Sequence, residues 1–172
     1  ILGSVSRRKE QHQIIEALGS LPENYKLILI GIHDNEFINY KEIIDKFNLN
    51  NRVISTGMLA GEDTLNHYQI FDINILASVM EGLSQSLLEA MYLGVPVIAT
   101  RAAGNISLIK DKENGLFFEN GDIKGLADSI KEIMENEELR KKLIENGQRT
   151  AKYDFSITKV IENYEEVFQN II

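Results

Sequence analysis

Short runs of apolar, often β-branched residues alternate along this chain with stretches in which apolar positions recur every three or four residues. The runs at 1–5, 25–30, 53–56, 73–76, 97–100 and 116–118 are brief and mostly apolar on both faces, the pattern of buried parallel strands. Between them the spacing predicts helices at 9–18, with Ile14, Ile15 and Leu18 inward, and at 36–47, with Phe37, Tyr40, Ile44 and Phe47. Two more are predicted at 64–71 and 84–93. Gly61-Glu62-Asp63 supplies an N-cap for the first of these, and Asn120-Gly121-Asp122 a turn after the last strand. Helices at 123–135, 137–151 and 156–171 follow. The last carries Val160, Ile161, Tyr164, Val167, Phe168 and Ile171 as one apolar stripe, which either covers the sheet or packs against a domain outside this chain. Strand and helix in alternation predict an α/β fold, a doubly wound parallel sheet of about six strands with helices on both faces. Such sheets bind ligands at the carboxyl ends of their strands.

With 172 residues, 44% of them hydrophobic, the chain can bury one core. No repeat, low-complexity tract or linker divides it, so one domain over 1–172 is expected. No apolar run approaches the roughly 20 residues that cross a bilayer. The opening Ile1-Leu2-Gly3 lacks both a methionine and a basic-plus-apolar leader, and reads as a piece of a longer protein beginning inside its first strand. The absence of cysteine excludes disulfides, thiolate metal sites and cysteine nucleophiles, and fits a reducing, cytoplasmic setting. A formal charge of −8 argues against non-specific nucleic-acid binding. It also makes any anion site depend on local positive charge. Arg7-Arg8-Lys9 is the densest cluster available, although such runs are usually solvated faces. His12, His33 and His67 are scattered without His-x3-His spacing, so no metal site is expected.

The most informative stretch is Glu81-Gly82-Leu83-Ser84-Gln85-Ser86-Leu87-Leu88-Glu89, in which two carboxylates flank a glycine turn and a helix start. Unpaired N–H groups and the helix dipole make that start a seat for phosphate. Neither carboxylate suits phosphate, and both suit hydroxyls on either side of it. Sugar hydroxyls, a pyrophosphate and a ribose diol have that layout. Taken singly, Glu89 could be an exposed helix glutamate and Glu81 a loop glutamate complementing the dipole. Together, around Gly82, they carry more information.

This segment, with Leu87-Leu88-Glu89-Ala90-Met91, Gly94-Val95-Pro96-Val97-Ile98-Ala99-Thr100 and Glu113-Asn114-Gly115-Leu116-Phe117, resembles the donor-binding half of GT-B glycosyltransferases, specifically the retaining family 4 group. Gly3, Lys9 and Ile15-Glu16-Ala17 resemble that family's first strand, phosphate-contacting lysine and first helix. Leu29-Ile30-Gly31 and Val53-Ile54-Ser55-Thr56-Gly57 resemble its next two strand ends. The resemblance implies a Rossmann-like domain whose Glu89 binds ribose hydroxyls and whose Glu81 binds a hydroxyl of the transferred sugar. It further implies that backbone N–H groups of Gly82, Leu83 and Ser84 cradle the distal phosphate, that Lys9 neutralises the pyrophosphate, and that Met58 lies beside the base. The donor would be a UDP- or GDP-sugar, the acceptor a glycan or lipid held by a missing N-terminal domain, and no metal or other cofactor would be needed. Membrane association would come only through the missing part.

The pattern departs from the family at three places. Ser4 stands where a second phosphate-contacting arginine is usual, Ser84 where a second glycine is usual, and Ala103-Gly104-Asn105-Ile106-Ser107 where a glutamate often follows the glycine-rich loop. Two further readings share the architecture: a non-hydrolysing sugar-nucleotide epimerase, and a nucleotide-sugar-binding or scaffolding domain without turnover.

Overall fold

Every described strand is parallel, and neighbours along each strand turn to opposite faces. The computed structural model describes residues 9–59 and 61–169. β1 (Leu27–Leu29) pairs with β2 (Val53–Ser55), placing Leu27 opposite Val53 and Leu29 opposite Ser55. β3 (Asn74–Leu76), β4 (Val97–Thr100) and β5 (Leu116–Phe118) form a second set in that order, with Ile75 opposite Ile98 and Ile98 opposite Leu116. The described residues thus hold five strands in two hydrogen-bonded sets, fewer than the six expected in one sheet. The strand expected at 1–5 lies outside the described residues.

Both faces of the strands are covered, as β4 shows. Ile98 joins a buried cluster with Ile14, Ile15 and Leu18 of α1 (Gln11–Gly19) and Leu126, Ile130 and Ile133 of α7 (Ile123–Glu135). Its neighbours Val97 and Ala99 join the opposite cluster, with Tyr68 of α4 (Glu62–Tyr68) and Leu87, Ala90 and Met91 of α5 (Gln85–Tyr92). A period of two on strands buried on both sides is the signature of helices on both faces. Leu29 and Ile75 lie in the same cluster, so the two strand sets share one core.

The helix expected at 36–47 is broken into α2 (Asp34–Phe37), a 3₁₀ turn (Ile38–Tyr40) and α3 (Lys41–Lys46). The turn buries the Tyr40 ring, and its hydroxyl donates to Gln11 Oε1 at 2.9 Å, tying this segment to the start of α1. α4 begins at Glu62, two residues earlier than expected, with Gly61 as a cap that makes no side-chain bond. A short helix absent from the sequence reading, α6 (Ala103–Leu108), follows β4. Asp122 caps α7 by accepting from Gly125 N at 2.8 Å, and Asn136 caps α8 (Glu137–Arg149) by accepting from Leu139 N at 3.0 Å. A π-helical turn (Thr150–Asp154) then leads to α9 (Ile157–Gln169). Ile157, Val160, Ile161, Tyr164, Val167 and Phe168 of α9 are all exposed, so its stripe does not cover the sheet. No helix among the described residues is long and apolar enough to cross a membrane.

Candidate functional site

The site is built where β3 and β4 end. Thr100 Oγ1 donates to the Ser78 carbonyl, Ser78 Oγ to the Met80 carbonyl at 3.1 Å, and Asn105 Nδ2 to the Thr100 carbonyl at 2.9 Å. These side chains are fully buried, and their bonds fix the loop from Ser78 to Glu81 on the strand ends. Gly104 then lies flat against the turn. A β-carbon there would overlap the carbonyl oxygens of Gly82 and Glu81, so only glycine fits. In the sequence, residues 103–107 stand out only as a departure from a pattern. The glycine inside that segment was the available signal that a second backbone passes there.

On this platform the candidate residues fall into two groups. Lys9 Nζ lies 2.6 Å from Glu81 Oε1, a contact spanning 72 residues of sequence, with side chains 27% and 16% exposed. The lysine assigned to the pyrophosphate and the glutamate assigned to the sugar are therefore paired with each other. Beside them, Gly82 and Leu83 are exposed and Ser84 is buried as the N-cap of α5, its hydroxyl 3.1 Å from that of Ser86. No backbone N–H of Gly82, Leu83 or Ser84 donates to another described residue. A β-carbon on Gly82 would meet nothing within 4 Å, so the face above this backbone is open.

Glu89 has a separate environment in the second turn of α5, about 7.5 Å along the axis from Ser84 at 1.5 Å per residue. Its Oε2 accepts from the hydroxyl of Tyr68 at 3.2 Å, and the same hydroxyl lies 3.1 Å from the Ser86 carbonyl. Burial first, and then the charge and hydrogen bond of Glu89, push the Tyr68 phenol well above its ordinary pKa, so it remains a donor. Tyr68 was missed from the sequence because it reads only as an apolar position ending α4. α5 itself ends as its sequence predicts. Gly94 adopts φ +80°, Gly94 N donates to Met91 O at 3.1 Å and Val95 N to Ala90 O at 2.8 Å, and Pro96 follows.

Met58 is 58% exposed in the loop after Gly57, and Gly31 N donates to Gly57 O at 2.9 Å, joining the loops that follow β1 and β2. Among the described residues Met58 contacts none of the other candidates in a recorded polar or ring interaction. Ser4, with Arg7 and Arg8, lies outside the described residues. The described residues contain no group of three or more His, Asp or Glu arranged to hold a metal ion. A cavity of about 380 Å³, lined by Ile14, Leu18, Tyr25, Ile28, Phe71 and Ile73 among others, lies between the two strand sets and includes none of the candidate residues.

Known proteins share this fold. The chain is 32% identical over 163 residues to the lipopolysaccharide core biosynthesis glycosyltransferase LpsE of Rhizobium meliloti, covering 95% of this chain and 47% of that protein. It matches the crystal structure of Anabaena HepE in complex with UDP-glucose at a TM-score of 0.88 and 25% identity, over 98% of this chain and 47% of that one. The C-terminal domain of a glycosyl transferase group 1 protein (LpcC) of Francisella tularensis matches at a TM-score of 0.80 and 27% identity, over 91% and 84% of the two chains. This chain thus spans about half the length of LpsE and of HepE. The α/β fold expected from the sequence is borne out by these structures. The family described as glycosyl transferases group 1 matches residues 1–150 of the 172, and the chain belongs to that family.

Proposed function

We propose that this chain is the nucleotide-sugar-binding half of a glycosyltransferase of the retaining, hexosyl-transferring type, acting on a glycan or lipid acceptor in the cytoplasm. The observation that carries this reading is the turn at Glu81-Gly82-Leu83. Its backbone N–H groups are uncommitted among the described residues, it opens α5 at a strand's carboxyl end, and Lys9 stands beside it. A diphosphate seated there meets the helix dipole, the free N–H groups and one ammonium. As the bond to the sugar breaks, negative charge grows on the departing diphosphate, and donors already in place stabilise it without reorganising. Glu81 is positioned for a sugar hydroxyl and Glu89, held by Tyr68, for the ribose.

In this reading the acceptor attacks from the face that the diphosphate leaves, so configuration is retained without a covalent intermediate, and no metal is required. The UDP-glucose complex of HepE makes a UDP-sugar the first donor to test. The exposed apolar face of α9 is assigned to contact with the further half that the longer relatives possess. The test is NMR of the product anomer made by the full-length protein from a panel of UDP- and GDP-sugars, with and without EDTA. An α-linked product from an α-linked donor, unchanged by EDTA, is expected. An inverted product overturns the mechanism, and an epimerised nucleotide-sugar overturns the transferase reading.

A further inference from the structure

The ion pair of Lys9 and Glu81 joins the two groups that the proposed function assigns to opposite parts of one ligand. We propose that this pair is a donor-sensing latch: it holds the site self-neutralised until a ligand brings both a phosphate for Lys9 and a hydroxyl for Glu81. The inference rests on the nucleotide-sugar reading of the site and specifies how that site is regulated.

The argument is one of exchange. At 2.6 Å the contact is a charge-assisted hydrogen bond, and neither side chain is more than about a quarter exposed. Water therefore replaces either partner poorly. Arg101, the next cation along this edge, is engaged with Glu119 at 3.0 Å and Asp111 at 3.6 Å and stacks over the Phe117 ring at 4.5 Å. Among the described residues, Lys9 is thus the cation at hand for a phosphate beside the turn. A nucleoside diphosphate that draws Lys9 away leaves the Glu81 carboxylate half-buried, unpaired and close to a second anion, which is costly. A nucleotide-sugar draws Lys9 away too, but its sugar hydroxyl donates to Glu81 in return. The latch therefore favours the intact donor over the diphosphate left after transfer. Once the sugar has gone, Glu81 competes with the diphosphate for Lys9 and promotes product release.

Calorimetry with the intact protein tests this, using UDP and UDP-glucose, or GDP and GDP-mannose if the guanine pair binds instead. Glu81→Gln is expected to tighten the plain diphosphate roughly three- to tenfold, the scale of a partly shielded ion pair. With Lys9→Met already present, the same change is expected to alter that affinity less than twofold. The advantage of the nucleotide-sugar over the diphosphate shrinks in Glu81→Gln. Unchanged or weaker diphosphate binding in Glu81→Gln, with wild-type binding intact, overturns the latch alone. An equal gain in both backgrounds also overturns it, because it would show general repulsion and no coupling to Lys9. Absence of all nucleotide binding to the folded wild type overturns the site reading itself, and the latch with it.

Discussion

Two glycines 22 positions apart meet at this site and do opposite work. Gly104 is needed by the fold because a β-carbon there collides with the backbone of Gly82 and Glu81. Gly82 is unconstrained in the free protein because its own β-carbon position is open. Gly104→Ala should therefore cost about 1–3 kcal/mol of stability, the usual range for overpacking, and lower the melting temperature. Gly82→Ala should leave stability within about 0.5 kcal/mol while weakening nucleotide binding, since it fills the open face over the proposed phosphate seat. Melting curves and calorimetry on the two variants separate these effects. Glu89 gives a second test at this scale. Glu89→Gln should weaken nucleotide binding by about 1–3 kcal/mol, the range for a hydrogen bond to a charged group. Tyr68→Phe removes the donor that holds Glu89 and should weaken binding by about 0.5–1.5 kcal/mol. A Tyr68→Phe variant that binds as wild type would show that Glu89 needs no positioning.

At the scale of elements, α5 was legible because local chemistry and tertiary role agree. Leu87, Ala90 and Met91 bury one face, and Gly94 with Pro96 stops it, while Ser84 holds the N-cap position without a side-chain bond to the backbone. The broken segment after β1 was not legible, because Phe37, Tyr40, Ile44 and Phe47 fit a helical spacing whether or not the backbone tightens at Ile38–Tyr40. That break serves the bond from Tyr40 to Gln11, a partner 29 residues away that no local pattern reveals. The site follows the same division. The turn and both carboxylates could be read from one segment, whereas the pairing of Lys9 with Glu81 and of Tyr68 with Glu89 depends on how distant elements pack. α9 was seen as amphipathic, and the structure leaves its apolar face exposed. Replacing Tyr164 and Phe168 with serine should change the unfolding free energy of the 172-residue chain by less than about 1 kcal/mol. The same double change should destabilise a full-length protein whose other half rests on α9. A large loss in the short chain would show instead that this face packs at home.

The whole molecule carries a formal charge of −8, so the proposed anion seat rests, among the described residues, on one helix start and one lysine. Its stability should also fall at high pH for a definable reason. Burial first, then Glu36 and Glu10, push the Tyr40 phenol up to about 12 from 10.0, and Tyr68 is raised as well. In the unfolded chain both phenols ionise near 10, so the folded state holds more protons above that pH. Their contribution is present below pH 10 and is lost as pH rises from about 10 towards 12. Denaturant midpoints measured between pH 8 and 11.5 should therefore decline on the alkaline side, and less steeply in Tyr68→Phe. The central claim, that a nucleotide-sugar binds over the Glu81 turn, is tested most directly by mapping amide NMR shifts while titrating the isotope-labelled protein with UDP-glucose and GDP-mannose. The account predicts saturable shifts in at least one titration, concentrated at Gly82, Leu83, Ser84 and Glu89 and at Lys9. Saturable shifts confined to other faces, or none from either ligand on the folded protein, would contradict it.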